Sequence, residues 1–131
     1  MGLGMDGGGR WSLRLDGAVL VATFPNGTVL SPAAAEALLD RWRACLAEGD
    51  VDVVVIVVRT SRICSDAGRR ALRTAARVGV DHGVTRLAVV AERSKRGYLQ
   101  RTVDVADVDV ETFNDEGAAV DCAAGERPRI A

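Results

Sequence analysis

The sequence predicts an α/β fold: a single-domain, mixed, mostly parallel five-stranded sheet with about four helices. Residues 51–58 form an almost continuous β-branched run, which is typical of a strand buried on both faces. Strand-like segments then alternate with segments whose apolar residues recur at helical spacing, as in parallel α/β sheets. A chain of 131 residues with 48% hydrophobic content is large enough for one domain with its own core.

The beginning of the domain predicts a hairpin. Residues 11–15 alternate between apolar and polar side chains, Asp16-Gly17 is a two-residue turn signal, and residues 18–24 return as an apolar strand. We expect the first strand to be antiparallel at an edge and the second to be more central. The glycine-rich residues 1–10 predict a flexible leader before a domain over residues 11–124.

Helices and strands alternate in the rest of the chain. Ser31 predicts a helix N-cap and Pro32 the first helical residue, with Gly49 ending the helix. The later predicted elements are, in order, a strand at residues 53–58, a helix at 67–80, a strand at 85–91, a short helix at 95–102, a strand at 108–113, a final helix capped by Asn114 or Asp115, and a flexible tail at 125–131.

Composition argues against several classes of protein. A net charge of −1 and a pI near 5.8 give no general attraction for nucleic acid. The three cysteines include no CxxC pair and the chain has a single histidine, so the ligand spacing of a Cys/His zinc cluster is missing and no metal site is predicted. No apolar segment approaches the roughly 20 residues that a membrane-spanning helix needs. We therefore expect a cytoplasmic protein in a reducing compartment.

The motifs of common enzymes are missing from the sequence. It contains no GxSxG nucleophile elbow, no P-loop, and no GxGxxG motif after the first strand-to-helix turn. The lone His82 follows the helix predicted at 67–80, at the opposite end from Ser61 and Ser65, and a structural role at that helix end explains it. We therefore predict a non-enzymatic protein without cofactors or catalytic residues.

Charge is distributed unevenly along the chain. Residues 59–101 carry a net charge of +8, whereas residues 102–131 carry −6. This split indicates either pairing between the two segments or a positive surface for an acidic partner. Parallel strands three and four end at the same sheet edge, where a helix N-terminus favours anions. The residues predicted to bind a partner or anion are Arg62, Ser65, Asp66, Gly68, Arg69, Arg70, Arg73, Arg93, Lys95 and Arg96.

Over residues 13–124 the chain resembles the STAS family of anti-sigma-factor antagonist domains, including the SpoIIAA-like and STAS/CRAL-TRIO-like branches. The resemblance rests on the order of elements, on Gly27-Thr28-Val29-Leu30-Ser31 before the first helix, and on Ser65-Asp66-Ala67-Gly68 after the buried strand. The closing segment from Val108 to Ala118 is similar to the end of the SpoIIAA-like branch.

The resemblance implies a non-catalytic regulatory module that binds a protein partner, of the anti-sigma-factor or kinase-like type, around Ser65–Arg70. In that family a kinase phosphorylates the second serine of an Asp-Ser-Ser-Gly loop, and Ala67 stands at this position here. Ser65 is the alternative phosphoacceptor. The competing hypothesis is a binder of a small anionic ligand, a nucleotide or a phospholipid headgroup, held by the basic loops.

Overall fold

The computed structural model describes residues 11–25, 28, 30–60, 66–105 and 108–126, the last four as backbone only. The predicted leader at 1–10 and the segment 127–131 of the predicted tail lie outside the described residues. The elements, in chain order, are β1 (Ser12–Asp16), β2 (Val19–Phe24), α1 (Pro32–Glu48), β3 (Val53–Val58), α2 (Asp66–Asp81), β4 (Arg86–Val90), α3 (Arg93–Val103), β5 (Asp109–Phe113) and α4 (Glu116–Glu126).

The described strands form one sheet with the order β1-β2-β3-β4-β5. Strand β1 is antiparallel to β2, and every other pair of neighbours is parallel. The predicted α/β fold class is confirmed, including an antiparallel first strand at the edge. The buried β-branched strand β3 lies at the centre of the sheet, where all six of its residues are buried.

The hairpin turn differs from its prediction by one residue. Asp16 pairs with Val19, so the two connecting residues are Gly17 and Ala18 rather than Asp16 and Gly17. Gly17 has φ 66°, a left-handed conformation that glycine adopts without steric strain. The requirement for positive φ at the first turn residue therefore places Gly17 inside the turn and leaves Asp16 in the strand.

Helices cover the two faces of the sheet unequally. Each parallel connection moves to the next strand in the same direction, and right-handed crossovers then place the connecting helices on one face. On that face Ile56 of β3 belongs to the same buried cluster as Trp42 of α1, Leu72 of α2 and Leu99 of α3. On the other face Val55 belongs to a smaller cluster with Ala119 of α4.

Side-chain hydrogen bonds cap the first turns of α1 and α4. The Ser31 hydroxyl accepts a hydrogen bond from the Ala34 N–H at 3.1 Å, which confirms the predicted N-cap of α1. Asp115, rather than Asn114, caps α4 by accepting from the Ala118 N–H at 2.9 Å. Helix α3 begins at Arg93, two residues earlier than predicted. Helix α4 extends to Glu126, past the predicted domain end at residue 124.

Candidate functional site

A groove of about 200 Å³ lies between α1 and α2. Each wall is a stripe of one helix with the spacing i, i+3, i+4, i+7, which brings four side chains to one side of a helix. Most of these side chains are small, so the two helices leave space between them. The groove is lined by Pro32, Ala35, Glu36 and Leu39 of α1 and by Ala67, Arg70, Ala71 and Thr74 of α2.

Trp42 fixes the two helices against each other beyond the groove. Its side chain is almost fully buried, and its indole N–H donates to the Ala75 carbonyl at 3.0 Å. The apolar ring is removed from water, and the hydrogen bond gives its only polar atom a partner. The groove therefore has a fixed separation between its walls, because a large buried side chain determines how closely α1 and α2 approach.

Two opposite charges stand on opposite walls of the groove. Glu36 on α1 and Arg70 on α2 are both exposed, and neither has an ion pair or hydrogen bond among the described residues. The surface between them is apolar, with Ala35 and Ala71 buried. The groove suits an apolar side chain that is flanked by polar groups. The negative charge on one wall and the positive charge on the other would orient a segment bound between them.

The structure places half of the predicted site residues on the first two turns of α2. Asp66 is the first residue of α2, and its carboxylate pairs with Arg69 at 3.0 Å. Gly68 is buried within the helix, and Arg70 reaches the groove. Arg73 Nε donates to the Thr102 carbonyl of α3 at 3.4 Å. Arg62 and Ser65 lie outside the described residues.

The predicted basic residues of α3 are separated by their contacts. Lys95 pairs with Glu92 at 3.1 Å, and its side chain is only 22% exposed. Arg96 donates to the Ala91 carbonyl at 2.9 Å and contacts the Asn114 side chain, which ties α3 to the ends of β4 and β5. Arg93 is exposed and has no recorded partner in the described part of the chain. The structure therefore brings Arg70, but not these three residues, to the groove.

The described acidic side chains of α4 do not pair with the arginines of α2. Helix α4 packs on the opposite face of the sheet, so Glu116 and Asp121 are separated from the α2 arginines by the sheet itself. Glu116 instead pairs with Arg14 of β1 at 3.4 Å, and Glu111 of β5 pairs with Arg86 at 3.2 Å. Among the described residues, Arg69 pairs with Asp66, whereas Arg70 and Arg77 are exposed without an ion pair and give α2 a positive side at and beyond the groove.

Buried threonines support the carboxyl ends of β2 and β3. Thr60, the second residue after β3, donates its hydroxyl to the Thr28 carbonyl at 3.0 Å, and both residues are buried. The Thr28 hydroxyl has no hydrogen-bond partner among the described residues. The sequence analysis did not single out this pair, although a threonine close behind a buried strand is a recognisable signal. This hydrogen bond holds the residues that follow β3 against those that follow β2.

Other chemistry in the described residues is limited. No cluster of three metal-ligating side chains occurs among them. None of the described helices has the length and apolar content required to cross a membrane. Cys45 and Cys122 are free thiols, and burial raises the pKa of the Cys45 thiol, with Glu48 adding to the rise and Arg41 opposing it. A raised pKa keeps this thiol protonated and weakly nucleophilic.

No protein-family model matches the chain, and no curated protein sequence matches it. The observed element order and sheet are those expected for a STAS-like fold. The fold class therefore rests on the structure itself.

The α1 wall of the groove was missed in the sequence analysis. A signal for it is present, because Pro32, Ala35, Glu36 and Leu39 form a stripe beside the stripe that contains the buried Leu38 and Trp42. Such a half-buried stripe becomes informative only when the packing of the neighbouring helix is known. The start of α2, by contrast, follows from its place after the central strand.

Proposed function

We propose that this chain is a non-catalytic, STAS-like regulatory module that binds a protein partner, of the anti-sigma-factor or kinase-like type, through the α1–α2 groove and the first turns of α2. The observation that carries the proposal is the groove itself. Its floor is apolar, Ala67 lines it, and its walls carry Glu36 and Arg70, which have no ion pair among the described residues. Such a surface accommodates a partner residue that has both an apolar part and a polar or charged group.

The position of Ala67 supports the same assignment. The resemblance described above places the phosphorylated serine of anti-sigma-factor antagonists at this residue. In this chain an alanine at that position faces a groove, so it adds apolar contact area without a hydroxyl. We therefore propose constitutive binding without a phosphoswitch at Ala67. A switch at Ser65 stays a prediction, which phosphopeptide mass spectrometry of the protein from its own cells tests.

The competing hypothesis, a small anionic ligand, receives less support from the contacts. Lys95 and Arg96 already use their charges on Glu92, the Ala91 carbonyl and Asn114. Arg93 remains available for a nucleotide or phospholipid headgroup. Binding of a labelled nucleotide or of anionic vesicles that is lost in Arg93→Glu, and retained in Arg70→Glu, would favour this hypothesis over the first.

The test of the proposed function compares two arginines on the same helix. Proteins captured from extract of the source cells by the wild-type chain are identified, and capture is repeated with Arg70→Glu and with Arg77→Glu. Arg77 lies on the same side of α2, two turns beyond Arg70 and about one turn beyond Thr74 at the end of the groove. It does not line the groove, and it is exposed without a partner among the described residues. We expect one captured protein to be lost with Arg70→Glu alone. Equal recovery with both variants contradicts the proposal.

A further inference from the structure

The two edges of the sheet differ in how they present their backbones. Strand β5 carries the exposed acidic residues Asp109 and Glu111, and Gln100 of α3 donates to the outward Val110 carbonyl at 3.5 Å. Acidic side chains and a covering helix are features that protect an edge strand from pairing. Strand β1 also carries exposed charges, Arg14 and Asp16, but no helix side chain bonds to its backbone among the described residues, so it is the less covered edge.

The hydrogen-bond pattern identifies which backbone groups of β1 point outward. The Ala18 and Phe24 carbonyls of the β2 segment accept from the β3 side, at Asp52 and Arg59. The alternate β2 residues, Val19, Val21 and Thr23, must therefore bond to β1. Their partners are Asp16, Arg14 and Ser12. The N–H and C=O groups of Leu13 and Leu15 consequently face away from the sheet.

Leu15 marks the same edge through its side chain. At 38% exposure it is the most exposed large hydrophobic residue in the described part of the chain. Its methyl groups lie beside Gly49, where a Cβ atom would stand 3.7 Å away, so the side chain rests over the end of α1. The outward backbone groups of Leu15 and its partly exposed side chain therefore lie at the same position of the β1 edge.

The charges beside Leu15 are arranged for a second copy of the same chain. Arg14 and Asp16 flank it and project together from the other sheet face. If two β1 strands pair antiparallel about a two-fold axis at Leu15, Arg14 of each copy lies opposite the partner's Asp16. That register also joins the two Leu15 residues by reciprocal N–H···O=C bonds and places their side chains together. An axis at Arg14 would instead oppose two arginines, which is unfavourable.

We infer that the chain forms a two-fold symmetric homodimer through β1, with Leu15 on the axis and two reciprocal Arg14–Asp16 pairs beside it. The dimer joins two five-stranded sheets into one of ten strands. Two short paired strands bury less area than the interface of a permanent dimer. We therefore expect a weak dimer, in an equilibrium with the monomer that shifts with protein concentration. The α1–α2 groove is not part of this contact, and the inference does not depend on the proposed function.

A charge-swap experiment tests the inference. Sedimentation velocity over a concentration series measures the monomer–dimer equilibrium of the wild type, Arg14→Asp, Asp16→Arg and the double variant carrying both changes. Each single variant places like charges opposite each other at two positions, and we expect its dissociation constant to rise about tenfold or more. The double variant restores opposite charges and recovers the dimer. A mixture of the two single variants forms the heterodimer, which native mass spectrometry detects.

Matched controls separate the edge contact from effects on folding. Glu116→Gln removes the intramolecular partner of Arg14 and leaves the β1 edge unchanged, so it retains the dimer. Asp109→Arg makes an equal charge change at the opposite edge and also retains it. Urea unfolding confirms that each variant is folded. A wild type that is monomeric at every concentration, or single variants that do not form the heterodimer, would overturn the inference, even if a different protein pairs with β1.

Discussion

Replacing Trp42 by phenylalanine tests whether the contact between α1 and α2 fixes the groove. The change removes the indole N–H that bonds the Ala75 carbonyl at 3.0 Å, and it shortens the largest of the fully buried side chains. A lost hydrogen bond costs about 0.5–1.5 kcal/mol. The space left by the smaller ring costs about 1 kcal/mol more. We therefore expect the free energy of unfolding to fall by about 2 kcal/mol, a substantial fraction of the 5–15 kcal/mol typical of a domain.

The assay is urea unfolding followed by far-ultraviolet circular dichroism, because removing a tryptophan alters the fluorescence signal. Trp11→Phe is the matched control, since Trp11 is only half-buried and has no recorded hydrogen bond in the described part of the chain. We expect the control to lose less than about 1 kcal/mol, as for substitutions away from the core. If Trp42→Phe loses no more free energy of unfolding than Trp11→Phe, the argument that Trp42 fixes α1 against α2 is refuted.

Three further predictions concern the parts that hold the site in place. Ser31→Ala removes the α1 cap and should lower the free energy of unfolding by about 1 kcal/mol in the same urea assay, whereas Ser12→Ala should have little effect. Arg96→Met keeps the side-chain stem but loses two hydrogen bonds, so it should cost about 1–3 kcal/mol, and equal stability of Arg96→Met and Arg93→Met would contradict this. Because burial raises the pKa of Cys45, its alkylation at neutral pH should be slower than that of glutathione and should accelerate as the pH rises through that pKa. Peptide mass spectrometry measures the rate of alkylation. A rate equal to that of glutathione would show that the thiol is not protected.

The sequence was sufficient to predict the sheet because each strand carries a local signal. The β-branched run at Val53–Val58 requires burial on both faces, and it occupies the centre of the sheet with parallel neighbours on both sides. The Ser31-Pro32 pair likewise predicts the start of α1 from chemistry within three residues. Signals of this kind depend only on neighbours in the chain, so they can be recognised without a structure.

The groove could be predicted only in part, because it depends on two helices that are distant in sequence. The start of α2 was expected to be functional from its place after β3, and Arg70 does reach the groove. Nothing local indicates that Glu36 of α1 stands on the opposite wall. The roles of Lys95 and Arg96 were also hidden, since their partners are a neighbouring acid, a strand-end carbonyl and Asn114, which only the folded chain brings together.

Site-specific photocrosslinking tests the central claim, that a protein partner occupies the α1–α2 groove, most directly. A photoreactive amino acid replaces Glu36 on the groove wall, or Arg41 on another side of the same helix, and the protein is irradiated in extract of the source cells. The account predicts that Glu36 crosslinks to the protein whose capture is lost with Arg70→Glu, and that Arg41 does not. Crosslinks of equal yield from both positions, or none from Glu36 to that protein, would contradict it.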